Sequence, residues 1–123
     1  MRAAIALAIV AMVAGHPALA AGRKADLADT VAGSYAGDVV SQREGSSRRD
    51  VALTLARTGE NFVTISSSDA RLPLITVRLS SALGKIVYRD SATAFAYDGS
   101  VTPAKLDVRF SNEVTWAGTR RPD

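Results

Sequence analysis

The sequence predicts an all-β domain: a small antiparallel meander of about eight strands, closed or nearly closed into an up-and-down barrel. Three observations predict it. From residue 33 onward, apolar and polar residues alternate with a period of two in short segments. Polar links of hairpin length separate these segments, and no segment has an apolar stripe at helical spacing. A two-sheet β-sandwich is the alternative that the same pattern allows.

The strands are predicted where the alternation is found. The clearest of them places Leu106, Val108 and Phe110 on one face, with charged residues between them. Asp98-Gly99 is the strongest short turn signal. The polar stretches Ser41–Arg49 and Ser67–Pro73 are predicted to be loops. The eight predicted strands are 34–40, 50–57, 62–66, 74–79, 85–88, 92–97, 105–110 and 113–118.

Residues 1–20 have the three parts of a secretory signal peptide. Arg2 precedes twelve uncharged residues, and Ala18-Leu19-Ala20 supplies small residues for a peptidase. An apolar run of twelve is short for a membrane span, which needs about 20 residues. We expect cleavage after Ala20 or Ala21 and export to the periplasm or beyond. Residues 21–32 then form a flexible or short helical leader, and residues 33–121 form the single all-β domain.

Cleavage would change the chemistry that the chain can perform. The only histidine, His16, and both methionines lie in the first twenty residues, and the sequence has no cysteine. The mature chain therefore lacks the residues of Ser-His-Asp and Cys-His sites and of imidazole or thiolate metal centres. Without Arg2, 14 basic residues face 12 acidic ones, a balance too even for nucleic-acid binding. The sequence predicts no catalytic residue, no metal site, no cofactor and no enzyme activity.

Two short motifs resemble those of a known superfamily. Gly33-Ser34-Tyr35-Ala36-Gly37 is a G-x-Y-x-G start, and Trp116-Ala117-Gly118 closes the last predicted strand. Together with the strand count, they resemble lipocalins and calycins, and the small eight-stranded barrels that bacteria export, among them periplasmic inhibitors of proteases and lysozyme. Lipocalins usually carry tryptophan where this chain has Tyr35. The resemblance implies the barrel architecture only, since one fold hosts many functions.

Two groups of residues are candidates for binding. The first is polar and lies in the two predicted loops, where barrels often carry recognition residues: Arg43, Glu44, Arg48, Arg49, Asp69 and Arg71. Asp69 and Arg71 could pair with each other or contact a partner. The second is Tyr35 with Trp116, from the first and last strands, which would be neighbours in a closed barrel. They are interpreted as a core plug or, alternatively, as the floor of a ligand pocket.

These observations predict an exported, non-catalytic binding protein. We expect its partner to be another envelope or extracellular protein, bound through the polar loops as by an inhibitor or accessory factor. We expect no nucleic-acid partner and no membrane span after signal cleavage. A carrier of small hydrophobic ligands, held inside the barrel, is the first alternative. A structural or stress-related envelope component is the second.

Overall fold

A computed structural model describes residues 23–42, 45–111 and 113–122, and the predicted signal peptide, residues 1–20, lies outside them. One short helix, α1 (Leu27–Val31), precedes the strands. Nine strands follow in the described residues: β1 (Gly33–Ser41), β2 (Ser46–Gly59), β3 (Phe62–Ser67), β4 (Ile75–Arg78), β5 (Ser80–Ala82), β6 (Lys85–Arg89), β7 (Ala94–Asp98), β8 (Lys105–Arg109) and β9 (Val114–Arg120).

The strands form one antiparallel sheet that curls into a nearly closed barrel. Its order is β4-β3-β2-β1-β9-β8-β7-β6-β5. Consecutive strands therefore pair with each other, except β4 with β5, and the first strand also pairs with the last. This pairing joins the two halves of the meander through seven residue pairs, from Val114↔Ser41 to Arg120↔Tyr35. The predicted up-and-down barrel is confirmed.

The fourth predicted strand, 74–79, is found as β4, and a further strand, β5, follows at residues 80–82, where the alternation predicts none. The chain changes its pairing partner at Leu79. β4 pairs with β3, whereas β5 pairs with β6. Leu79 lies between them, buried, and its N–H donates to the carbonyl of Asn61 at 2.7 Å. The remaining gap in the barrel therefore lies along residues 75–82, within a single stretch of chain.

A pair of glycines allows β1 and β9 to approach closely. Gly37 stands directly opposite Gly118, and both face the interior. A Cβ on Gly37 would lie 2.2 Å from the carbonyl oxygen of Ala117, and one on Gly118 would lie 2.2 Å from that of Ala36. Real Cβ atoms do not come this close to backbone, so no larger residue fits either position without moving a strand.

The predicted loop Ser41–Arg49 is wrong for most of its length. Ser41 ends β1, and residues 46–49 belong to β2, which is 14 residues long. Val40 pairs with Ser47 and Ser41 with Ser46, beyond a bulge in β2 at residues 49–50, opposite Asp38. Backbone pairing continues at this end of the hairpin, although several side chains are polar and exposed. The two strands therefore lie closer together in the sequence than predicted, since β1 ends at Ser41 and β2 begins at Ser46.

Side chains from α1 and from every strand except β5 fill the interior. The largest fully buried ones are Trp116, Tyr35, Phe95, Phe110 and Leu53. Helix α1 covers part of this core with Ala28 and Val31. The connections after β1, β3, β6 and β8 share one end of the barrel, here called the upper end. Helix α1 lies at the opposite, lower end, where β1 begins.

Candidate functional site

Three of the predicted site residues meet at the upper end. Asp69 is 6% exposed and accepts hydrogen bonds from the backbone N–H of Arg71 at 2.9 Å and from its Nη2 at 3.2 Å. Arg48 Nη1 lies 3.8 Å from the same carboxylate. The Arg71 side chain, through its hydrogen bonds, holds the pKa of Asp69 below its usual range. Of the two expectations for Asp69 and Arg71, pairing is therefore observed.

This ion cluster fastens the β3–β4 connection to β2. Arg71 Nη1 donates to Ser46 Oγ at 3.1 Å, and the Leu72 N–H donates to the carbonyl of Asp69. Leu72 is buried in the core. The buried carboxylate is thus satisfied within the chain, and the cluster holds the connection against the upper end of the barrel. Arg49 is exposed on β2, while Arg43 and Glu44 lie outside the described residues.

Tyr35 and Trp116 are fully buried and pack edge to face, with ring centroids 6.4 Å apart. The Tyr35 hydroxyl donates to the carbonyl of Val31 at 2.6 Å, and Trp116 Nε1 donates to that of Val51 at 3.0 Å. Burial raises the pKa of Tyr35 to about 12. Both rings have their polar atoms bonded inside the core, so they fill space between strands and leave no open face for a ligand.

Arg120 lies inward at the lower end of β9. Its Nη2 donates to the carbonyl of Thr30 at 2.7 Å and to the Tyr35 hydroxyl at 2.9 Å. Its guanidinium carbon is 5.3 Å from the centroid of the Tyr35 ring and 5.8 Å from that of Tyr97. The arginine therefore ties α1 to the barrel through hydrogen bonds and cation–π contacts.

Arg120 also borders a concavity of about 720 Å³, here called the lower pocket. The connection between β7 and β8 forms one side of it and the C-terminal residues form another. Its walls are largely apolar, and Tyr97 and Arg120 contribute polar groups. Its lining includes Tyr97, Val101, Pro103, Ala104, Arg120, Arg121 and Pro122.

The outer surface of β5 to β9 carries a second concavity of about 650 Å³, here called the outer groove. Buried Phe95 and Tyr97 alternate with Ala94 and Ala96, so these two alanines face outward. In the same way Ala117 follows buried Trp116. Short side chains on neighbouring strands leave the surface concave. The floor consists of Ala82, Val87, Ala94, Ala96 and Ala117.

Two arginines flank one alanine at the upper rim of the outer groove. Ala94 is in register with Arg89 on one side and with Arg109 on the other. Since strands lie about 4.8 Å apart, the two arginine Cα atoms are about 10 Å apart, and both side chains can reach one anion between them. Both arginines are exposed, and among the described residues neither guanidinium has a hydrogen-bond or ion-pair partner.

The next outward row of the groove carries a negative charge. Asp107 is in register with Ala96 and Ala117 and is about 6.6 Å along the strand from Arg109. The groove thus has a cationic rim, an apolar floor and one carboxylate. Such an order of charges can fix the direction of a bound chain as well as its position.

The candidate residues from the sequence did not include Arg89, Arg109 or Arg120. The sequence does contain a pattern that indicates Arg89 and Arg109. Alanines occupy the outward positions of one predicted strand, and each neighbouring strand has an arginine at or next to its end. This pattern predicts a site only once the register of the strands is known, because the pairing of three strands brings Arg89 and Arg109 beside Ala94. Arg120 lies beyond residue 118, where the last predicted strand ends.

Neither a metal centre nor a membrane-spanning helix is found in the described part of the chain. No three His, Cys, Asp or Glu side chains are grouped there to hold a metal ion. Helix α1 has five residues, and no described helix has the length and apolar character for a membrane crossing. No family model, curated protein or solved structure matches the chain. The fold and sites define the class: a small antiparallel β-barrel with a filled core and two surface concavities.

Proposed function

We propose that the protein is an exported, non-catalytic binding protein that recognises another envelope or extracellular protein through the outer groove. The observation that carries the proposal is a pair of arginines, Arg89 and Arg109, which lie on either side of Ala94 at the rim of an apolar groove. Neither guanidinium has a bonding partner among the described residues. The N-terminal segment, with the features of a signal peptide, supports export. The absence of His and Cys from residues 21–123 supports binding over catalysis.

The proposed occupant is a protein segment that carries acidic side chains next to small or apolar ones. Guanidinium groups bind carboxylates through paired, charge-assisted hydrogen bonds. Apolar side chains of the segment would cover Ala94, Ala96 and Ala117. Asp107 would repel a second carboxylate further along the groove, so the acidic residue is expected at the upper rim only.

The sheet face is proposed in place of the predicted loops because three of the loop candidates already contact one another. Asp69 is buried and paired with Arg71, and Arg48 lies close to the same carboxylate. Arg89 and Arg109 are free among the described residues to pair with a partner. The proposed function is therefore still protein binding, but through the outer groove and not through the loops.

The test compares two double charge reversals with the unaltered protein. R89E/R109E reverses the rim, whereas R49E/R78E makes the same change in net charge at two exposed arginines of β2 and β4. Each tagged protein is captured with its bound proteins from cells that export it, and the captured proteins are quantified by mass spectrometry.

We expect proteins that are retained by the unaltered chain and by R49E/R78E to be reduced about tenfold or more with R89E/R109E, a loss of about 1.4 kcal/mol in binding. Equal recovery with all three chains would contradict the groove assignment. Loss with R49E/R78E alone would return the site to the surface around Arg49 or Arg78.

A further inference from the structure

We infer that the lower pocket is a second binding site, which takes a small monocarboxylate with an apolar body. The pocket lies at the end of the barrel, away from the Arg89–Ala94–Arg109 rim. The inference is independent of the proposed protein partner, since it rests on Arg120, Tyr97 and the β7–β8 connection.

Arg120 supplies the cationic end of the site. Its Nη2 and the faces of two tyrosines hold the guanidinium in place. Among the described residues no carboxylate forms an ion pair with it. Its Nε is buried and has no hydrogen-bond acceptor in the described part of the chain. A partly buried guanidinium with an unused donor is unusual, because buried polar groups are normally satisfied.

The charge around the pocket also favours an anion. Arg121 lines the pocket beside Arg120, and none of the described residues that line it is acidic. A carboxylate that enters the pocket would therefore meet two cations. The Arg120 guanidinium is already positioned by Thr30 and Tyr35, so binding does not require this long side chain to be ordered afresh.

The remaining walls fit an apolar body. Val101, Pro103, Ala104 and Pro122 surround the space beside the Tyr97 ring. A volume of about 720 Å³ lies within the usual range for small-molecule sites, which are mostly apolar with a few polar groups that fix orientation. An aliphatic or aromatic monocarboxylate places its charge at the arginines and its body on these side chains.

The test uses octanoate and two uncharged analogues, octanamide and 1-octanol, as probes of the mature protein. Two-dimensional amide NMR spectra are recorded during each titration. We expect octanoate to shift the amide resonances of residues 99–102, 104 and 119–121 with a Kd of about 1 mM or tighter, and each uncharged analogue to bind about tenfold more weakly. Equal affinity for all three probes would overturn the assignment of a carboxylate site.

A matched pair of variants tests the location. V101E places a negative charge in the pocket wall, and V40E places one on the outer face of β1, where the valine is equally exposed, 40% in each case. These variants are preferable to a change at Arg120, which would also break its bonds to Thr30 and Tyr35. Thermal unfolding checks that both variants are folded.

We expect V101E to weaken octanoate binding about tenfold or more and V40E to leave it unchanged. Unchanged binding by V101E would overturn the site. Shifts confined to residues 87–96 and 107–117 would also overturn it, because they would place octanoate in the outer groove. Neither result would alter the prediction for R89E/R109E, so the two proposals fail separately.

Discussion

Replacement of Gly37 by alanine tests the closure of the barrel. The new Cβ would lie 2.2 Å from the Ala117 carbonyl oxygen and 2.7 Å from the Gly118 Cα. Ordinary contact of a Cβ with these atoms begins near 3.4 Å. Because both obstacles are backbone, β1 and β9 must separate by about 1 Å, which weakens the ladder on both sides of the substitution.

The expected loss in the free energy of unfolding is about 3 to 5 kcal/mol. Overpacking contributes about 1 to 3 kcal/mol. Two weakened backbone hydrogen bonds contribute about 1 kcal/mol each. The matched control is G59A, where the new Cβ would meet the Phe62 ring at 3.4 Å, an ordinary contact. Its stability is expected to stay within about 1 kcal/mol of the unaltered protein.

Urea unfolding, followed by the fluorescence of Trp116, measures both variants. This tryptophan is the only one in the chain, so the signal reports the core beside Tyr35. If G37A loses less than about 1 kcal/mol, or no more than G59A, then the close approach of β1 and β9 does not hold and the account of closure is wrong.

Three further substitutions and conditions test the rest of the fold. W116F leaves the Val51 carbonyl without its donor and is expected to cost about 2 kcal/mol, measured by urea unfolding with circular dichroism; unchanged stability would contradict the plug. D69N weakens the ion cluster and is expected to speed amide exchange at Leu72, whose N–H bonds to residue 69, more than at Leu106 in the core. Equal exchange rates in both proteins would contradict that role. Hydrogen bonds hold down the pKa values of three carboxyl groups: Asp26 accepts from Arg57, Asp29 from Arg23 and Asp69 from Arg71. In their ionised form these groups stabilise the folded state. This stabilisation is complete above the unfolded pKa near 3.8 and is lost as the pH falls toward the lower pKa values of the folded state. The urea concentration at the midpoint of unfolding should therefore decrease as the pH is lowered from 5 to 3. The decrease should be smaller for D26N, because this variant has no charge to lose at position 26; an equal decrease would refute the linkage.

Much of the barrel could be predicted from residue alternation, but some strand ends could not. Leu106, Val108 and Phe110 point inward as their spacing indicates. Alternation fails where pairing alone extends a strand, as in β2, whose residues 46–48 are polar and pair with β1 beyond the bulge opposite Asp38. It also missed β5, because all three of its residues are exposed and the strand depends on pairing with β6.

The candidate sites depended on register more than on composition. The sequence contained a possible Asp69–Arg71 pair, and the structure adds Arg48 and Ser46 from another strand. Arg89 and Arg109 are twenty residues apart and have no local motif in common. Only the pairing of β7 with both its neighbours brings them to one alanine. A single sequence cannot supply that pairing, since a shift by one residue would turn each side chain to the other face.

Site-specific photo-crosslinking tests the proposed binding surface most directly. A photoreactive amino acid is placed at Ala117 in the outer groove, or at Ala56, an exposed alanine of β2 that pairs with β3, and the cells are irradiated during export. We expect a discrete crosslinked protein from Ala117 and none from Ala56. The Ala117 product should be lost when the chain also carries the R89E/R109E substitutions. A product that forms equally from both positions, or that survives the charge reversal, would contradict it.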